Sequence, residues 1–330
     1  MMTACKTPLQ TLLIGAIALL GSSLATAGDY PDRNITLIVP FAPGGTSDII
    51  ARLVGEHMAK TLGHPIIVEN DAGAGGTVAG RRVAQAAADG YTLIIGTLGT
   101  HGAAPSQYPS LKYDPRRDFT PIGQTSEMPF VLVTRKNFPA NNLKEFVDYI
   151  QRNQDKVSEA HAGVGSEIHA ACTLLQSVIN TKTARVAYRG GAPAINDLVA
   201  GQVDFGCTVL GTVAPQIQAG SLKALAVTGP ERVDLLKEIP TTTEAGLPAF
   251  QAMTWTAIFA PKDLPQAIQA KLTNALAKAL DDGATRKRLI DLGAQIPDNA
   301  HRTPEALQRL VEIEVPRWAS VLKPQEPLAK

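Results

Sequence analysis

Short runs of branched apolar residues alternate along this chain with stretches in which apolar positions recur every three to four residues, and Gly- or Pro-bearing turns separate the two. The first run, Ile35–Val39, stops at Pro40 and predicts a buried strand. Phe41-Ala42-Pro43-Gly44-Gly45 is then loop, because proline cannot donate to a strand ladder and a glycine pair permits close backbone approach. A helix opens at Thr46, Ser47 or Asp48, all good N-cap types, and sets Ile49, Ile50, Leu53 and Val54 along one stripe. The unit repeats. Pro65–Val68 predicts a second strand, Asp71–Gly76 a second Gly-rich turn, 77–88 a helix, Tyr91–Ile95 a third strand and Gly96–Gly102 a third polar loop. Strands that each feed a loop and then a helix specify a parallel sheet wrapped by helices, and ligands bind such sheets at the carboxyl edge of the strands. A helix that starts just after a Gly-rich loop offers free N–H groups and a positive dipole end, so it holds a carboxylate or phosphate without a basic side chain.

The pattern breaks at Leu111–Pro121, which is charged and Pro-bearing, and resumes as an apolar run at Met128–Thr134. This predicts a first domain begun over 28–126, a second domain over 127–251, and a return of 252–330 to the first. In the second domain, Leu143–Gln154 is a helix, the segment around His161 leads into the loop Gly163-Val164-Gly165-Ser166, and Glu167–Ile179 is a helix with Ile168, Cys172, Leu175 and Ile179 on one face. A strand at Val186–Tyr188, a loop Arg189-Gly190-Gly191, a helix Pro193–Ala200, a strand Val203–Val209 carrying Asp204 and a strand Leu222–Val227 follow. Trp255–Phe259 is the return strand, with helices over 265–281, 284–292 and 304–322. Two α/β lobes joined by two crossings enclose a cleft that a hinge closes.

The leading segment changes where this protein is expected to work. One Lys precedes an Ala- and Leu-rich run and a stretch ending Ala25-Thr26-Ala27, the pattern of a secretory signal peptide cleaved after Ala27. The run is short for a membrane anchor, and Cys5 lies before it, where a lipid-bearing cysteine would have to follow. The whole chain carries 31 basic and 30 acidic residues, so nothing in its charge argues for nucleic acid or an anionic membrane. Cys172 and Cys207 remain in a compartment that permits disulfides. They read equally as two buried thiols or as a bridge.

An ordered set of motifs resembles a known family. Pro40-Phe41-Ala42-Pro43-Gly44-Gly45 with Asp48, Gly73-Ala74-Gly75-Gly76, Gly165-Ser166 with His169, Tyr188-Arg189-Gly190-Gly191-Ala192-Pro193-Ala194, Gly201-Gln202-Val203-Asp204 and Leu225-Ala226-Val227-Thr228 resemble the Bug, or TctC-type, periplasmic solute-binding receptors of tripartite tricarboxylate transporters. The resemblance runs from about Tyr30 to Trp318. It implies a two-lobed α/β periplasmic-binding-protein fold of type II-like form, acting as a monomer, with no cofactor and no metal. It further implies a small carboxylate as ligand and the large and small membrane subunits of the transporter as partners. The loop Phe41–Asp48 and the residues Thr97, Thr100 and His101 would grip a ligand carboxylate, and Val164–Ser166, Tyr188 and the strand near Asp204 would read the rest. Arg189 stands where the family often has Lys, and Ala104 where it often has Asn.

Read from the residues alone, several of these positions keep two roles. Asp48 is a first-turn acid favoured by the helix dipole and also a candidate acceptor for a ligand donor group. Asp204 is either a brace paired with Arg189 or an acceptor for a ligand amine or hydroxyl. His101 is the histidine best placed for a ligand, whereas His169, in a first helical turn, braces its loop. The six histidines show no zinc spacing. Gly75–Gly80 has the outer spacing of a phosphate loop, but Arg81-Arg82 stands where Lys-Ser/Thr is required, which rejects nucleotide binding. Ser47 and Ser166 lie outside Gly-x-Ser-x-Gly and fit helix starts better than nucleophiles. The rival readings are a secreted hydrolase or transferase using Ser166, His169 and Asp204, and a periplasmic sensor that signals to a membrane protein. No Arg clamp sits in the first-lobe loops, which argues against a selective tricarboxylate site.

Overall fold

In the computed structural model, which describes residues 30–322, the strand–loop–helix units predicted above all form. The elements in order are β1 (Ile35–Val39), α1 (Thr46–Leu62), β2 (Ile66–Asn70), α2 (Thr77–Ala84), β3 (Thr92–Thr97), α3 (Ala104–Gln107), β4 (Phe119–Arg135), α4 (Leu143–Asn153), β5 (Ser158–His161), α5 (Glu167–Val178), β6 (Ala184–Ala187), α6 (Gly191–Val199), β7 (Phe205–Val209), α7 (Leu210–Gln218), β8 (Leu222–Val227), β9 (Met253–Pro261), α8 (Gln266–Asp281), α9 (Gly283–Asp291) and α10 (Pro304–Val321). The signal segment and its cleavage site lie outside the described residues.

Two sheets share one strand. In the first lobe the order is β2-β1-β3-β9-β4; β1 runs parallel to β2 and β3, and β9 is antiparallel to both of its neighbours. In the second lobe β4 lies between β7 and β8, antiparallel to each, and β5 continues the sheet from β7 to β6 in parallel. The 17-residue β4 changes partners along its length: Phe119–Pro129 pairs with β9, Phe130–Arg135 with β7 and β8. Register shifts at Pro121/Gly123 and Gln124/Ser126 accommodate the proline within the ladder. The chain returns to the first lobe between β8 and β9.

Burial explains the local choices. Ile35, Leu37, Ile38 and Val39 of β1 are fully enclosed, as are Ile50, Ala51 and Val54 on the inward stripe of α1. That helix stops at Gly63, whose φ of 77° supplies the left-handed C-cap. Asn142, Ser166, Asp282 and Thr303 cap α4, α5, α9 and α10 with side-chain oxygens. Cys172 of α5 and Cys207 of β7 form a disulfide in the second-lobe core, which settles the choice the sequence left open.

Three differences matter for the site. The predicted loop Gly96–Gly102 is strand through Thr97 and then a π-helical turn, Gly99–Ala103. A helix that no periodicity announced, α7, follows β7 directly and contains Pro215. Asp204 precedes β7 rather than lying on it. Its carboxylate accepts from Arg135 Nε at 2.8 Å, and from the Ser158 N–H and hydroxyl at 2.9 and 3.1 Å. It therefore braces the starting edge of β5 and β7, and the partner is Arg135, not Arg189.

Candidate functional site

The carboxyl ends of β1, β2, β5 and β6 face one another across the two lobes. Between them lies a cavity of about 580 Å³, lined from the first lobe by Phe41, Gly73–Gly76 and Gln107–Ser110, and from the second by Ala162–Val164 and Ala187–Arg189. Its walls are mostly apolar, and Arg189 is the one cation among its described lining residues. Deeper in the cleft are two voids of about 20 and 10 Å³, each close to the room one water-sized group needs.

Three helices begin at the 20 Å³ void. It is lined by Ser47 of α1, Ile168 of α5 and Gly191 of α6, each in the first turn of its helix. Among the described residues no acceptor takes the N–H groups of these three. The first turns of three helices, with three N–H groups that no acceptor takes, thus border one void, an arrangement that suits an anion without a cationic side chain. No Lys, Arg or His lines this void or its smaller neighbour.

The lobes meet through short polar contacts around this point. Ala42 N–H donates to the Arg189 carbonyl at 3.0 Å, and Tyr108 Oη–H to the Val164 carbonyl at 2.7 Å. The hydroxyls of Thr46 and Thr212 lie 2.7 Å apart, and Thr97 Oγ1 donates to Glu167 Oε2 at 3.1 Å. Glycine makes these approaches possible. A Cβ on Gly75 would lie 1.8 Å from the Val164 carbonyl oxygen, and one on Gly99 would lie 2.5 Å from the Glu167 nitrogen.

The first loop is stiff. The Asp48 carboxylate accepts from Gly44 N–H at 3.0 Å, from Arg52 Nε and Nη2 at 3.2 and 2.9 Å and from Asn70 Nδ2 at 3.0 Å. Burial alone raises its pKa, but Arg52, Gly44 and Asn70 outweigh burial and hold it below the usual carboxylate range. Asp48 thus locks the turn, and it also lines the 20 Å³ void beside Phe41, Gly45 and Ser47. Pro43 and Gly44 are exposed on the outer side of the loop. Phe41 borders both the large cavity and the void. In the second lobe Val164 and Tyr188 line the large cavity, with Tyr188 Oη–H donating to Asp197 at 2.7 Å. Gly165 holds φ +80° against the Tyr108 ring. Ser166 caps α5, accepting from His169 N–H while its hydroxyl donates to Gly163 O.

His101 is a correction. The π-helical turn swings it inward, where it is fully buried, stacked on Phe259 at 4.1 Å and packed against Phe119 at 4.6 Å. Its Nδ1 shares a hydrogen bond with Thr100 Oγ1, Thr100 Oγ1 also accepts from the Thr97 N–H, and none of the three residues lines a cavity described above. Burial drives the His101 pKa down to about 3. A histidine neutral in the fold and protonated in the unfolded chain loses stability as pH falls below its unfolded value of about 6.5. Replacing it with phenylalanine removes that penalty. The stability of His101→Phe relative to the parent should rise by about 1.4 kcal/mol for each pH unit between 6.5 and 4, read from urea unfolding at a series of pH values.

The hydrolase candidates do not assemble. Ser166 Oγ is engaged by backbone, the His169 ring bonds to Arg185 at 3.2 Å, and Asp204 is held by Arg135 and Ser158 at the other edge of the sheet. Among the described residues no group of three or more His, Cys, Asp or Glu is placed to hold a metal ion. Sequence reasoning missed Glu167, Tyr108, Thr212, Thr254 and Trp255. Glu167 alone carried a signal, as the acid directly after the Gly165-Ser166 cap. Its carboxyl is fully buried, and burial lifts its pKa above the usual range against the lowering effects of its own N–H and Thr97.

Comparison with known proteins places this geometry in context. Residues 50–326 match the sequence model described as tripartite tricarboxylate transporter family receptor, TctC. The chain is similar to MatC from Rhodopseudomonas palustris, solved with bound malate, with 46% identity, a TM-score of 0.87, and 89% of this chain and 100% of that one covered. It is similar to the periplasmic binding protein BugD, with 38% identity, a TM-score of 0.86, and 90% and 100% covered. A third likeness is to an R. palustris protein solved with adipate, with 32% identity, a TM-score of 0.84, and 89% and 97% covered.

Proposed function

The chain belongs to the tripartite tricarboxylate transporter receptor family, and on that premise we propose that it captures a small organic carboxylate between its lobes and delivers it to the membrane subunits of such a transporter. It is an exported receptor with the two-lobed periplasmic-binding-protein fold, and its leader is cut after Ala27. The observation that carries the ligand class is one buried void bordered by Ser47, Ile168 and Gly191, three first-turn residues whose N–H groups no acceptor among the described residues takes. One oxygen of a ligand carboxylate sits there and the rest of the molecule extends past Phe41 into the larger cavity. Malate and adipate, held by two relatives, are of a size this cavity admits. Capture needs no bond making. Closure removes water from the ligand and strengthens each charged hydrogen bond, while β4 and the return segment between β8 and β9 serve as the hinge.

A thermal-shift panel of mono-, di- and tricarboxylates, acidic amino acids and neutral analogues tests this reading. A ligand that binds only the folded form raises the midpoint by mass action. Acids should raise it and their amides should not. A midpoint raised only by neutral compounds would remove the carboxylate from the account.

A further inference from the structure

The 20 Å³ and 10 Å³ voids have Thr46, Ser47, Glu167 and Val209 in common, so groups occupying the two are neighbours. The first presents backbone donors. The second differs in chemistry. Trp255 and Thr254 line it, both more than nine-tenths buried, and Trp255 Nε1 and Thr254 Oγ1 have no hydrogen-bond partner. Ser126 and Thr256 line it too, but their hydroxyls are 2.8 Å apart and share a hydrogen bond, and Thr256 Oγ1 also pairs with Thr125 Oγ1. Glu167 adds a carboxylate that Thr97 alone engages through a side chain.

These groups have complementary demands. An indole N–H needs an acceptor, and a carboxylate oxygen needs a donor. A hydroxyl meets both, a methylene meets neither, and an ammonium group meets only the second. The space, about 10 Å³, takes one hydroxyl and no second carboxylate. Resting on the carboxylate reading above, we propose that Glu167 and Trp255 form a hydroxyl-reading subsite, which makes this receptor select acids bearing a hydroxyl beside the bound carboxylate over their unsubstituted counterparts. Leaving the buried Trp255 donor unpaired is what penalises the unsubstituted acid.

Isothermal titration of the mature protein with each enantiomer of malate, with succinate and with aspartate tests the subsite. One malate enantiomer should bind at least about tenfold more tightly than succinate, and more tightly than aspartate. Trp255→Phe keeps the ring packing and removes the donor, and its preference for that malate over succinate should fall below about threefold. Glu167→Gln keeps the shape and removes the charge-assisted acceptor, so it should narrow the preference as well, and it carries the comparison if circular dichroism finds Trp255→Phe misfolded. Succinate binding the parent within about threefold of the better malate, as a water filling the void would give, overturns the subsite and leaves the receptor reading intact. Undiminished preference in both variants overturns it too, and so does failure of all these acids to bind the parent, which overturns the receptor reading as well only if the wider panel of acids is silent.

Discussion

Gly75→Ala should lower ligand affinity by about 30-fold or more while the two lobes stay folded. The Cβ would sit 1.8 Å from the Val164 carbonyl oxygen and 2.9 Å from its carbon, both backbone atoms of the opposite lobe. Neither can yield as a flexible side chain does, so the lobes must part. The fraction of molecules able to close then falls, and apparent affinity falls with it. Gly75 also holds φ at +63°, where alanine pays about 1–2 kcal/mol of local strain. Gly220→Ala separates the two effects. Gly220 has φ +65° but nothing within 4 Å of a new Cβ, so it should lose a similar increment of stability and keep its affinity. Titration calorimetry of both variants, with small-angle scattering to detect a more open Gly75→Ala, checks the result. Equal affinities would show that the contact between Gly75 and Val164 is not part of closure.

The Cys172→Ser/Cys207→Ser protein should lose about 3 kcal/mol of stability, with ligand affinity changed by less than about tenfold. The bridge spans 35 residues and joins α5 to β7 inside the second-lobe core, well below the first turn of α5 where Ser166 and Glu167 meet the cleft. Cross-linking a loop of this length restricts the unfolded chain, and its removal gives that freedom back. Urea unfolding under oxidising conditions measures the loss. A change under about 1 kcal/mol would mean that the buried pair contributes through packing alone.

The units that position the site were legible because each obeys one local rule. Ile35–Val39 is a continuous apolar run, α1 carries an apolar stripe, and both end in Gly or Pro punctuation. The helices predicted over 265–281, 284–292 and 304–322 correspond to α8, α9 and α10 for the same reason. What could not be read depends on tertiary context. The first part of β4 looks like a break because Arg116, Arg117 and Pro121 interrupt its approach, yet pairing with β9 carries the strand through. His101 looks cleft-facing in a polar Gly-bearing loop, and only the π-helical turn sends it into the aromatic cluster of Phe119 and Phe259. Asp204 finds Arg135, 69 residues away, a pairing that no spacing announces. Glu167 at the start of α5 and Trp255 on β9 belong to different lobes and border one void only in the folded molecule, which is why the most polar part of the cleft was the least visible.

In the proposed receptor a ligand carboxylate binds where α1, α5 and α6 begin. A crystal structure of the mature protein with the strongest acid from the thermal-shift panel tests it most directly. Closed lobes are expected, with one carboxylate within about 3 Å of the N–H groups of Ser47, Ile168 and Gly191. A ligand whose carboxylates lie only against Arg189 in the outer cavity, with those three N–H groups bonded to water, would contradict it.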